Sequence, residues 1–192
     1  VSSAASDVYK RQAEEQPQVS LWLADLAGAA LEAALAAARA DAQDTHGEDA
    51  LAVRLSVIGM GKCGARELNY ISDVDVIFAH GSDLEDERHA ARIAADLASG
   101  ISRYTTAAAP EQGLWEVDAN LRPEGKDGAL SRTIDSHAEY YRRWAHTWEF
   151  QALLKARPVA GDAEIGRQYL ETIWPLVWTC LLYTSDAADD TP

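Results

Sequence analysis

Cysteine is scarce in this chain: only Cys63 and Cys180 occur in 192 residues. Two distant thiols support neither a disulfide scaffold nor a cysteine metal knuckle, so a reducing, cytoplasmic setting is expected. Positive charge is scarce too, with 17 Lys and Arg against 31 Asp and Glu and a net charge of −14. A nucleic-acid surface needs a basic patch and an anionic membrane attracts the same sign, so neither partner is expected. No run of 18 or more apolar residues occurs, so no membrane span is expected. The first residues lack the apolar core of a secretory signal, and there is no internal repeat. What remains is an acidic globular chain, 47% hydrophobic. It is long enough to bury a core in one domain, or in one domain with a helical extension.

Residues 57–78, VIGMGKCGARELNYISDVDVIF, are the stretch the rest is organised around. They read as a strand, a tight glycine turn and a second strand. Side chains alternate faces along a strand, so Asp73, Asp75 and Ile77 share one face while Val74, Val76 and Phe78 point into a core. Carboxylates side by side repel, which raises one pKa unless a cation lies between them. A hard divalent cation such as Mg2+ takes oxygen ligands, removes the conflict and brings phosphate with it. The glycine turn offers backbone N–H groups with no Cβ in the way, which suits phosphate, and Lys62 adds positive charge. Asp-x-Asp alone is common in acidic chains, and a glycine turn alone is an ordinary connection. Together at this spacing they specify a metal–phosphate site. Gly59, Gly61 and Gly64 also fit the dinucleotide-binding fingerprint. That fingerprint requires a helical crossover to a parallel strand; residues 65–72 are too few and carry no helical stripe, so the reading is rejected. The spacing of a Walker P-loop is absent.

Residues 18–40 read as an amphipathic helix with Leu23, Leu26, Ala30 and Leu31 on its stripe. Residues 41–49 read as an acidic loop with a solvated His46, and residues 51–59 as the first strand. Ser82 and Glu85 form a capping box opening a helix to about Tyr104, its inner face Ala90, Ile93, Leu97, Ile101 and Tyr104. Residues 113–118, GLWEVD, read as a third strand with Leu114, Glu116 and Asp118 on one face. If that strand lies beside the Asp-Val-Asp strand, Asp118 completes a three-carboxylate cluster, enough to serve two ions and supply a base for phosphoryl or nucleotidyl transfer. Residues 120–128, NLRPEGKDG, form a loop in which Arg122 is placed to meet phosphate as a planar fork. Glu124 and Lys126 read equally as polar partners or as loop charges. Ser136 and Glu139 cap a long helix to Arg157, where Pro158 stops it; Ile134, Ala138, Tyr141, Ala145, Trp148 and Ala152 form its stripe. Lys155 is expected to complement that helix's dipole, and Arg157 either does the same or reaches the phosphates. Residues 161–178 begin a last helix.

Three stretches in order, GMGKCGARELNYISDVDVIF, LWEVDANLRPEGKDGAL and WEFQALLKARPVAGD, resemble the catalytic domain of the glutamine synthetase adenylyltransferase/adenylyl-removing enzymes, within the nucleotidyltransferase superfamily. The resemblance covers about residues 17–178. It implies an α+β fold, a nucleotidyltransferase-type small mixed sheet flanked by helices. The core, with its N-terminal helix, would span residues 17–130 and a helical extension residues 131–179. It implies that Asp73, Asp75 and Asp118 hold Mg2+, two ions in all, and that Gly59, Gly61, Lys62, Ser72 and Arg122 contact nucleotide and phosphate. The family has two homologous catalytic halves. One attaches AMP from ATP to a tyrosine of glutamine synthetase; the other removes it with phosphate, giving ADP. Glu67-Leu68-Asn69-Tyr70 resembles the removing, N-terminal half of actinobacterial type. Glutamine synthetase is then the implied partner, with a PII-type nitrogen regulator acting on the full-length enzyme. The alternatives are the adenylylating half and a non-catalytic module that binds nucleotide or partner. Lys62 stands where a serine commonly follows the glycine, and Cys63 replaces a common leucine. Residues 1–12 and 180–192 resemble translated sequencing-adapter read-through. They are expected to be non-native, with disorder at the extreme ends and the true protein continuing beyond both.

Overall fold

The computed structural model describes residues 3–106 and 115–189, with side chains over 16–106 and 115–180. Helix α1 (Ser3–His46) and the short α2 (Asp49–Ala52) lead into strand β1 (Val53–Gly59). One helical turn, α3 (Gly61–Gly64), is followed by β2 (Val74–Ser82) and α4 (Glu87–Thr106). Then come β3 (Val117–Asp118), a 3-10 turn at Gly125–Asp127, β4 (Ser131–Thr133) and α5 (Ile134–Arg143). Helix α6 (Thr147–Leu153), β5 (Arg157–Gly161) and α7 (Ala163–Asp189) complete the chain. The fold is α+β, as expected.

The sheet runs β3-β2-β1-β5, with β4 also paired to β2. Strand β1 is antiparallel to both β2 and β5, while β3 and β4 run parallel to β2. The direct antiparallel return from β1 to β2 is incompatible with the dinucleotide-binding crossover, which joins parallel strands. Val53, Leu55, Val57, Val74, Val76 and Phe78 feed one core, shared with α1 and α4. Ile58, Ile77 and Ala79 feed a second, with Ala138, Tyr141, Tyr169 and Ile173 from α5 and α7. A sheet covered on both faces needs apolar residues on both, which is why β1 is buried almost throughout rather than alternating.

Several elements differ from the sequence expectation. The buried stripe of α1 is Ala24, Ala27, Leu31, Ala34, Leu35, Ala38 and Ala42, whereas Leu26 is 49% exposed. Small residues are needed because α4 comes close: a Cβ on Gly100 would lie 2.5 Å from Ala38 Cβ. Among the described residues one helix, Gln16–His46, is long and apolar enough by length and composition to cross a membrane, a test that core helices of globular proteins also pass. Alanine raises its average hydropathy, and its alanine stripe is spent on the core. His46 is not solvated alone; its Nε2 lies 2.9 Å from Asp96 Oδ2. Helix α4 opens later than Ser82, because Asp86 Oδ1 accepts from the N–H groups of Arg88 (2.9 Å) and His89 (3.1 Å). Ser82 instead accepts from Leu84 N–H at 3.0 Å. Tyr104 turns outward and donates to Asp41 at 2.7 Å.

The long helix expected up to Arg157 is broken. Thr133 caps α5 by accepting from Ser136 N–H at 3.2 Å, and the helix ends at Arg143. Buried Glu149 accepts from His146 N–H (2.7 Å) and Tyr140 O–H (2.9 Å), which opens α6 as a separate element. Trp148, assigned to the inner stripe, is 54% exposed. Arg157 starts a strand, so residues 131–179 give β4 and β5 to the sheet as well as helices. The third strand is only two residues long; Gly113 and Leu114 lie outside the described residues. Helix α1 begins at Ser3 and α7 runs to Asp189, so most of each tail lies in a helix. Residues 1–2 and 190–192 lie outside the described ones.

Candidate active site

Strand β1 ends at Gly59, and Met60 N–H donates to Asp75 O at 2.8 Å, locking the turn to β2. Gly61 follows with φ +48°, and a Cβ there would lie 2.8 Å from Asp75 Oδ2. Both the left-handed backbone and the closeness of the carboxylate call for glycine. Lys62 is exposed beside it, and Cys63 is buried. Burial pushes the Cys63 thiol up to about 11, so it is an inert packing group rather than a nucleophile. A Cβ on Gly59 would lie 2.8 Å from Val159 Cγ1, which makes that glycine a packing position under β5.

Asp75 is half-buried and stands opposite Asp118, its Cα partner in the parallel β2–β3 ladder. Val74 N–H donates to Glu116 O at 2.9 Å and fixes that register. Burial raises the Asp75 carboxyl above the usual carboxylate range; the charges of Asp118 and Asp73 add to this and Lys62 opposes it. Asp118 and Asp73 are thus each close enough to act on Asp75. Among the described residues, however, no three Asp, Glu, His or Cys side chains close on one point. Asp73 is exposed in the segment before β2. Ser72, expected at the phosphate, turns its Oγ to Asp73 O at 3.2 Å. Asp118 Oδ1 accepts from Asn120 N–H at 2.7 Å, a turn that swings the chain away from the strand end.

The two arginines at the site are committed to backbone. Arg122, expected to grip phosphate, donates from Nη1 to Ala119 O (2.8 Å), from Nη2 to Lys126 O (3.0 Å) and from Nε to Gly128 O (3.1 Å). It closes its own loop. Glu124 sits at φ +63° and pairs with Arg132. Arg157 donates from Nε to Gly64 O (3.0 Å) and from Nη2 to Cys63 O (3.2 Å); it starts β5 rather than ending a helix, so it serves no helix dipole. Lys155 pairs with Glu67 at 2.8 Å, which replaces the expected dipole role. No spacing rule marks guanidinium-to-carbonyl bonds of this kind, and only the Gly64 position hinted at a close approach.

The site is therefore an acidic edge of an α+β sheet, framed by a glycine turn. Residues 3–172 match the family described as Glutamate-ammonia ligase adenylyltransferase, and the chain belongs to that family. It is 56% identical over 165 residues to the bifunctional glutamine synthetase adenylyltransferase/adenylyl-removing enzyme of Streptomyces avermitilis, covering 84% of this chain and 16% of that protein. The protein of the same name from Streptomyces coelicolor is 56% identical over 161 residues, 81% of this chain and 16% of that one. The one from Bifidobacterium longum is 50% identical over 169 residues, covering 85% and 15% respectively. The chain thus spans 15–16% of the length of these curated relatives.

Proposed function

We propose that this chain is a nucleotidyl-transfer domain whose reaction is the removal of AMP from an adenylylated tyrosine of glutamine synthetase by phosphorolysis, giving ADP. The observation that carries it is the parallel register placing Asp75 opposite Asp118, with Gly61 against the Asp75 carboxylate. The relatives' names hold both the adding and the removing activity, and the Glu67–Tyr70 wording favours the removing half. Asp73, Asp75 and Asp118 offer an all-oxygen donor set; burial first, and then the charges of Asp118 and Asp73, raise the Asp75 carboxyl, and a hard dication would relieve that repulsion. The donor chemistry suits Mg2+, which would have to draw together carboxylates that do not converge on one point here; held there it would neutralise charge on the phosphate oxygens.

The chain's own groups do the rest. Gly61 brings the turn backbone beside Asp75, and exposed Lys62 offers an ammonium to the incoming phosphate. Positioning plus charge stabilisation is what such a transfer requires. Arg122 acts by shaping the loop after Asp118. The neighbouring Tyr70 and Ile71 are 76% and 96% exposed, which suits a site that receives a protein segment rather than a small molecule. A PII-type regulator belongs to the full-length enzyme in this reading.

The test supplies the chain with Mg2+, inorganic phosphate and adenylylated glutamine synthetase. Phosphate-dependent ADP release is expected. AMP incorporation from ATP into unmodified glutamine synthetase, without ADP release, would reverse the half. Neither activity from folded protein would leave only the binding-module reading.

A further inference from the structure

The glycine turn is held from a distance. Strand β5 pairs with β1 so that Arg157 is the Cα partner of Gly59, and from there its side chain reaches over the end of α3. A single helical turn cannot satisfy its last carbonyls internally. Arg157 meets two of them, those of Cys63 and Gly64, with two prongs of one fork. The same segment touches the turn twice more. Lys155 pairs with Glu67 at 2.8 Å, and Gly64 lies so close to it that a Cβ would sit 1.9 Å from Lys155 O. The turn held this way carries Gly61, pressed against the Asp75 carboxylate, and Lys62, whose charge acts on it.

We infer that Arg157 is a positioning residue for the site. It fixes the 61–64 turn against β5, so that Gly61 and Lys62 stand in register with Asp75. This rests on the nucleotidyl-transfer reading, because only a site that uses the turn needs the turn held. With Nε on Gly64 O and Nη2 on Cys63 O, two of the five guanidinium donors tie β5 to the turn. The fold also has no slack there, since Gly64 admits no side chain. Loss of the fork therefore frees the turn to move without freeing the sheet beneath it.

Cys63 reports the turn independently of activity, because it is buried in α3 and one of its own backbone atoms is a partner of Arg157. In a Cys180→Ser background, maleimide labelling of Cys63 is expected to speed about tenfold or more in Arg157→Ala, and much less in Arg157→Lys. Ile173→Val, in the α7 core, controls for general loosening and is expected to label at the parent rate. Parent-rate labelling of Arg157→Ala, or equal acceleration in Ile173→Val, would overturn the inference. In the ADP assay, Arg157→Ala is expected to lose up to about a hundredfold in kcat, with added methylguanidinium restoring part of it. An unchanged kcat would overturn the positioning role. If the parent chain shows neither ADP release nor AMP incorporation, the functional reading fails, while labelling still decides whether Arg157 holds the turn.

Discussion

Two loops border the candidate site, and they are held in opposite ways. The glycine turn, residues 61–67, is pinned from outside by Arg157 and Lys155, about 90 residues away in sequence. The loop after β3, residues 119–128, is pinned from within by Arg122, whose three acceptors lie within six residues of it. Each also holds one non-glycine residue in the left-handed region, Arg66 at φ +60° and Glu124 at φ +63°. Each of those is fixed by an ion pair, Arg66 to Asp25 on α1 and Glu124 to Arg132 beside its own loop. Strained backbone of this kind persists only where surrounding contacts over-determine it. The first loop is thus as ordered as the whole fold, and the second as ordered as its own few residues.

The sharpest way to break this contrast is glycine replacement in each loop. A Cβ on Gly64 would sit 1.9 Å from Lys155 O and 2.5 Å from Gly59 O, both backbone. Neither backbone segment can give way cheaply, so Gly64→Ala is expected to cost about 3 kcal/mol or more of global stability. A Cβ on Gly128 would sit 2.0 Å from Pro123 O, a clash just as close but internal to its loop. Gly128→Ala is expected to disorder residues 119–128 and lower the melting temperature far less. Thermal melts of the two variants decide it; equal losses would erase the distinction between the loops.

Asp75→Asn sits between the loops and comes next in size. Turnover is expected to vanish, while the melting temperature holds or rises, because the variant removes a half-buried charge from beside Asp118 and Asp73. Retained ADP release in the variant would sink the metal-site reading. Arg122→Ala follows: freeing three loop carbonyls should cost about 1–3 kcal/mol locally. Amide exchange is expected to quicken over residues 119–128 and stay at the parent level over residues 61–67. Quickening in both would mean the loops are coupled rather than separately held.

What was legible in the sequence followed from strand chemistry. Alternation along residues 73–78 placed the Asp75 face opposite the Val74–Phe78 core, and the short 65–72 segment ruled out a parallel crossover. The neighbouring of the second and third strands was stated as a condition, and the structure meets it over only two residue pairs. The α1 stripe was misplaced because alanine contributes little amphipathic contrast, yet close helix packing against Gly100 selects it. The break between α5 and α6 was hidden because the apolar spacing from Ile134 to Ala152 runs on without interruption. It is the buried Glu149, with His146 N–H and Tyr140 O–H, that opens a new helix there. Arg122 was given to phosphate and Arg157 to a helix dipole or phosphate; their bonds to backbone carbonyls were not legible, because a guanidinium suits either acceptor and residue type alone does not choose between them.

The smallest expected effect comes from beneath the sheet. His137 on α5 is buried, with Nε2 donating to Phe78 O at 3.3 Å, and its ring meets Tyr169 edge-on at 5.1 Å. Its pKa is lowered to about 3, chiefly by burial and also by the nearby Arg132 and His80, with only the Phe78 carbonyl working the other way. The folded chain therefore keeps this imidazole neutral, while the unfolded chain takes up a proton below about 6.5. The unfolded state then binds more protons, so the contribution is fully present above about 6.5. It is lost as pH falls from there toward about 3, by at most about 1.4 kcal/mol per pH unit. His137→Phe removes this dependence, so urea melts at pH 7, 5.5 and 4.5 should show a shallower acid decline for the variant than for the parent. Because His137 bonds to the β2 backbone and to neither loop clamp, Cys63 labelling at pH 7 should be the same in both. Parallel acid declines would show that the acid sensitivity arises elsewhere, among the carboxylates at the site.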